Sequence, residues 1–97
     1  MPRYVALMNW TDQGVKNYKA TVERSEAAEA ALGEAGVRFE GVYWTIGAYD
    51  LVVILEAPDA ETLTASLLNL ASQGNLRSTT LRAFTADEMR SILEKTG

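Results

Sequence analysis

Two strand-like runs, "VRFEGVYWTI" (Val37–Ile46) and "YDLVVILE" (Tyr49–Glu56), are separated only by Gly47-Ala48. Both are rich in β-branched and aromatic residues, which fit a pleated surface. So short a connection admits only an antiparallel hairpin. A Gly-X pair in a two-residue loop is the signature of a type II′ turn, with Gly47 at a positive φ. Such a turn sets the register: Ile46 opposite Tyr49, Thr45 opposite Asp50, Trp44 opposite Leu51, Tyr43 opposite Val52 and Val42 opposite Val53. One face then collects Val42, Trp44, Ile46, Leu51, Val53 and Leu55, a set apolar enough to lie under helices, with Trp44 in the core. The other collects Gly41, Tyr43, Thr45, Asp50, Val52 and Ile54, and it is also too apolar to face water. A sheet built on this hairpin must be covered on both sides.

The flanking segments supply one of those covers. "RYVALMNW" (Arg3–Trp10) is a short apolar run closed by the polar "TDQG", and it reads as a buried strand. "TVERSEAAEAALGEAG" changes to helical spacing at Ala28, Ala31, Leu32 and Ala35, with glycine as its stop. After the hairpin, Asp59 is a good N-cap for a second helix carrying leucines at 63, 67 and 70 and ending at Gly74-Asn75. "LRSTTLRAF" is a fourth strand. "TADEMRSILEKTG" opens with a capping box, Thr85 to Glu88, and Phe84 and Met89 have the spacing of a hydrophobic staple. The order β-α-β-β-α-β plus a terminal helix predicts an α+β, ferredoxin-like sandwich. It comprises one domain over residues 1–97, with a four-stranded antiparallel sheet of order 4-1-3-2. Right-handed crossovers place both helices on one face of the sheet. The uncovered face predicts a homodimer, or a higher homo-oligomer, with sheets face to face, because a two-fold interface needs only one self-complementary patch.

Composition narrows the chemistry. The 97 residues contain neither cysteine nor histidine. Disulfides, thiolate chemistry, most zinc sites and most simple catalytic triads are therefore excluded, and no cofactor or metal is implied. A net charge of -4, with nine Lys and Arg spread along the chain, argues against a nucleic-acid surface. Leu51 to Leu55, the longest apolar stretch, is too short to cross a bilayer, and "MPRYVALMNW" lacks the features of a signal peptide; no membrane association and a cytoplasmic location are expected.

In this topology three polar turns share one edge of the sheet. They are "WTDQG", "TIGAYD" and "SQGN" with Arg77. Each has a bland structural explanation: a cap at Thr11 or Asp12, a helix stop at Gly74, a turn held by Asp50. Their convergence nonetheless predicts one pocket for a small polar metabolite. Asp50 and Arg77 would supply charge, Thr11, Thr45, Gln73 and Asn75 hydrogen bonds, and Trp10 and Tyr49 apolar walls. Arg82 reads as a strand-edge charge or an inter-subunit partner.

The stretches "LMNWTDQG", "TIGAYDLVVILEAPD" and "SQGNLRSTTLRAFTADE" together resemble the GYD domain family, small stand-alone proteins of the dimeric α/β-barrel type marked by a Gly-x-Tyr-Asp signature. The resemblance spans nearly the whole chain and attaches no reaction to it. More distantly, "TIGAYDLVVILEAPDAETL" with the later "TTLRAF" is similar to the effector domain of leucine-responsive transcriptional regulators. That domain has the same order of elements, oligomerises through its sheet and binds amino acids near such turns. The DNA-binding helix-turn-helix of those regulators has no counterpart here. The resemblance thus implies effector-type binding of a small molecule by an oligomeric domain. Two alternatives stand beside it: a cofactor-independent monooxygenase or isomerase of the same barrel type, with Asp50, Asp12 or a tyrosine as proton acceptor, and a structural or regulatory partner protein without a ligand.

Overall fold

The computed structural model describes all 97 residues. The elements are β1 (Arg3–Trp10), α1 (Asp12–Lys16), a 3-10 turn (Tyr18–Ala20), α2 (Thr21–Glu34), β2 (Arg38–Trp44), β3 (Leu51–Glu56), α3 (Ala60–Ser72), β4 (Leu76–Ala83) and α4 (Ala86–Glu94). All strand pairs are antiparallel, and the sheet order is β2-β3-β1-β4, the ferredoxin-like arrangement expected from the sequence.

Local chemistry explains the boundaries. Asp59 Oδ1 accepts the Thr62 amide at 2.7 Å and starts α3. Thr85 and Glu88 close the anticipated capping box at the head of α4. After α3, Gly74 takes φ +86, a conformation that side-chain-bearing residues rarely adopt.

The two central strands alternate strictly. Tyr4, Ala6 and Met8 of β1, with Leu51, Val53 and Leu55 of β3, are buried and form the core with Leu32 of α2 and Leu63 of α3. Leu67 and Leu70 pack against that core, as their spacing predicted. The opposite side chains of the same strands are Val5, Leu7, Val52 and Ile54, all partly exposed. Leu81 of β4 pairs with Val5, and Tyr43 of β2, 58% exposed, pairs with Val52. An antiparallel sheet with one wet face ordinarily alternates apolar with polar. Here both faces are apolar, and the second stays partly exposed along both central strands.

The hairpin departs from expectation. Its register holds at Trp44–Leu51, Tyr43–Val52 and Val42–Val53. Strand pairing ends there, however, so the connection is the loop Thr45 to Asp50 rather than a two-residue turn. The Thr45 amide still donates to the Asp50 carbonyl at 2.9 Å, but the Asp50 amide turns away to the Met8 carbonyl at 2.8 Å. The tie to β1 outcompetes the tight turn. Gly47 keeps its positive φ, +132. Ile46, expected beneath the helices, lies in this loop fully exposed.

Trp44 is a second correction. It is 41% exposed, because β2 is an edge strand and only the start of α2 reaches it; its indole N–H donates to Thr21 Oγ1 at 3.0 Å. Further along β2 a bulge at Glu40 turns that carboxylate onto Arg3 and Arg38, which also reach Glu56 at 3.1 and 3.5 Å. This four-charge cluster occupies one corner of the uncovered face.

α4 makes no extensive contact with the rest of the fold. Phe84 before it and Met89 and Leu93 along it are about half exposed. No helix is long and apolar enough to cross a membrane.

Candidate functional site

The three polar turns do meet at one edge, and they are laced together. Thr11 caps α1 by accepting the Gly14 amide at 3.1 Å, and its own amide and hydroxyl donate to the Asn75 and Gly74 carbonyls at 3.1 and 2.5 Å. Gln13 Nε2 adds bonds to the Gln73 carbonyl and Asn75 Oδ1, both at 3.0 Å. From the hairpin side, Asp50 Oδ2 accepts the Trp10 amide at 2.9 Å, and Asn9 Nδ2 donates to the Ala48 carbonyl at 2.8 Å. Thr45 Oγ1 turns inward onto the Tyr49 carbonyl at 2.6 Å.

These bonds sort the expected site residues. Thr11, Thr45 and Asp50 serve as framework, their polar atoms taken up by backbone groups. Tyr49 is half-buried in the hairpin loop. Arg77 lines a separate shallow groove between α3 and β4, with Leu68 and Ser78. Trp10, Gln73 and Asn75 are brought together in the lining of a cleft on the helix side of the sheet.

That cleft runs between α2 and α3, which do not pack extensively on each other. Its floor is Met8, Leu51, Val53 and Phe39, and Leu70 and Leu76 close one side. The other wall is α2, where Thr21, Ser25 and Ala28 recur at helical spacing and present short side chains. A helix face of that kind leaves space above a sheet where large residues would fill it. The solvent-accessible volume is about 30 Å³, room for roughly two water molecules before the walls move. Arg24 also lines it, and its guanidinium donates to the Asn17 and Gly14 carbonyls at 2.7 and 3.2 Å. The Trp10 Nε1–H is buried and meets no acceptor in the chain.

Arg24, Ser25 and Ala28 were not among the residues expected here. The signal was present in helical register: Thr21, Ser25, Ala28 and Leu32 share one face, three short side chains and then a buried leucine.

Arg82 works within the chain. Its guanidinium lies 4.4 Å from the Phe84 ring centre and 5.6 Å from that of Tyr4, donates to the Arg3 carbonyl at 3.1 Å and approaches Glu88 at 3.7 Å. Three carboxyls are held below their ordinary range. Glu40 is lowered chiefly by the hydrogen bond from Arg38, Asp59 by the Thr62 amide and Glu88 by the Thr85 amide. No group of three or more His, Cys, Asp or Glu residues is placed to hold a metal ion.

The GYD domain model matches residues 4–93, which takes in nearly all of β1 and α4 and everything between them. A relative from Thermus thermophilus, named "Glutamine synthetase and cystathionine beta-lyase binding protein", is 33% identical over 90 residues. The match covers 92% of this chain and 95% of the relative. No solved structure matches.

Proposed function

The chain belongs to the GYD domain family, and on that premise we propose that it is a binding protein that works as a homo-oligomer and docks onto another protein. The observation that carries this reading is the uncovered sheet face. Val5, Leu7, Val52, Ile54, Leu81 and Tyr43 form a continuous apolar surface that nothing in the chain covers. A second copy supplies the same surface and completes a face-to-face dimeric barrel. The charged corner suits such an interface, because Arg3, Arg38, Glu40 and Glu56 neutralise one another within each chain.

Self-association leaves α4 as the second uncovered apolar surface. An amphipathic helix with anchors at Met89, Ile92 and Leu93 suits docking into a groove of a partner protein. The relative's name makes glutamine synthetase and cystathionine beta-lyase the first partners to test.

Light scattering on the purified chain should give a multiple of the 10.6 kDa monomer mass. Ile54→Lys should lower that mass or unfold the chain, since a charge buried without a partner costs at least several kcal/mol. Immobilised chain should then capture one of the two enzymes, and Met89→Glu/Leu93→Glu should release the enzyme without changing the oligomer mass. A monomer at high micromolar concentration would defeat the assembly. A double variant that changes the mass instead would assign α4 to self-association.

A small-molecule role is the second reading, and the cleft with its unpartnered Trp10 indole supports it. The turn edge itself offers little free polar surface, so this reading moves from the edge to the cleft behind it.

A further inference from the structure

We infer that the cleft between α2 and α3 binds a small monocarboxylate with a short apolar tail, an inference that rests on the small-molecule reading above and names its ligand class. The one charged side chain lining the cleft is a cation, Arg24, set among the neutral polar side chains of Thr21, Ser25, Gln73 and Asn75. The Trp10 Nε1–H is the chain's one buried side-chain polar atom without a partner. Arg24 spends two N–H groups on backbone carbonyls and takes part in no ion pair, so it retains full positive charge beside the cleft. Asn75 accepts from Gln13 through Oδ1, which leaves its amide N–H groups to donate.

No aspartate or glutamate lines the cleft. An occupant bearing an ammonium would therefore find no counter-charge, whereas a carboxylate finds the Arg24 guanidinium, suited to charge-assisted hydrogen bonds, with the buried Trp10 indole close enough to report its arrival. The floor of Met8, Leu51 and Phe39 offers nothing but apolar contact. The resting space holds only about two water molecules, so entry requires α2 and α3 to part slightly, and that sets the tail at a few carbons. A branched aliphatic acid or a 2-oxo acid of that size matches the cleft, and the corresponding α-amino acid matches it less well.

The clean experiment uses the Trp44→Phe variant, in which Trp10 contributes the only indole N–H signal to a nitrogen-proton correlation spectrum. Trp44 is at the surface, so the fold should persist. 3-Methylbutanoate and 4-methyl-2-oxopentanoate should shift that signal saturably, while 3-methylbutylamine and leucine should bind at least about tenfold more weakly. Arg24→Gln should weaken the carboxylates by a similar factor. Because Arg24 also ties α1 to α2, a second variant is needed: Ala28→Leu fills the cleft from a helix position that accepts leucine, and it should abolish the shift without lowering the melting temperature.

Carboxylate binding that survives Ala28→Leu would put the site elsewhere and overturn the inference. An amine that binds as well as the acid would overturn the ligand class and leave the small-molecule reading standing. An indole signal that responds to no acid, amine or amino acid would overturn both.

Discussion

Replacing Gly14 by alanine should destabilise the protein even though the residue lies in a helix, where alanine is ordinarily the better choice. The gain from helix propensity is about 1 kcal/mol at most. Against it stands a close approach. A Cβ on Gly14 would lie far inside contact with the Asn75 carbonyl oxygen, 3.0 Å from the carbonyl carbon and 3.2 Å from Cα, where roughly 3.5 Å or more is comfortable. All of these are backbone atoms, so no side chain can rotate away. Relief requires α1 to separate from the turn before β4, which strains the Thr11 amide bond to Asn75 and the Thr11 hydroxyl bond to Gly74. Each such bond contributes about 0.5 to 1.5 kcal/mol, and overpacking of this kind costs about 1 to 3. The net loss should be about 1 to 3 kcal/mol. For a domain of this size that lowers the melting temperature by roughly 4 to more than 20 °C. Gly33→Ala is the matched control, because Gly33 is also helical and a Cβ there meets nothing within 4 Å. It should raise stability by up to about 1 kcal/mol. Thermal melts of the two variants at one fixed protein concentration decide the matter. If Gly14→Ala melts at or above wild type, the packing of α1 on the β4 turn is not as described and the argument fails.

Gly47→Val should lower stability by about 1 to 3 kcal/mol through backbone strain alone, since its φ is +132 and the surrounding space is open; an unchanged melt would mean that the loop can adopt another conformation. Asp50→Ala removes the acceptor of the Trp10 amide and should cost about 1 to 3 kcal/mol, while Asp50→Asn should recover part of it by accepting through its carbonyl. Acid should destabilise the protein. Glu40, Asp59 and Glu88 are held below their ordinary values of 4.5, 3.8 and 4.5, so their contribution is complete above those values and is lost as pH falls through the lowered ones. Glu88→Gln should flatten the acid limb of a melting-temperature profile, and an unaltered limb would remove Glu88 from that role.

Much of the fold was legible because the signals are local. Capping by Asp59, Thr85 and Glu88, the stop at Gly74 and the alternation in β1 and β3 each depend on a few neighbouring residues. Hairpin register was readable for the same reason as far as Trp44. Beyond it a distant tie decided the outcome: Asp50 bonds to Met8 and Trp10, some forty residues away, and the loop opens to reach them. Trp44 looked like core by type and alternation, but its exposure depends on which strand forms the edge. The turn residues were rightly gathered at one edge. What sequence could not reveal is that their polar atoms are mostly spent on one another. The cleft escaped notice because absence makes it: short side chains at Thr21, Ser25 and Ala28 carry little signal until a sheet lies beneath them. Arg24 acquires meaning only once that cleft exists.

The bulge at Glu40 also bears on how far copies of this protein could add to one another in the proposed assembly. β2 and β4 are the rims of the sheet, where unpaired backbone groups would otherwise template further strands without limit. On β2 the bulge breaks the even spacing that an incoming strand needs, and Arg38 stands beside it. On β4 the Arg82 side chain takes up the Ala83 carbonyl, and Arg77 places positive charge on the rim. If the broad faces pair as proposed, rims guarded in this way oppose edge-to-edge growth, and the apolar surface is confined to a closed assembly.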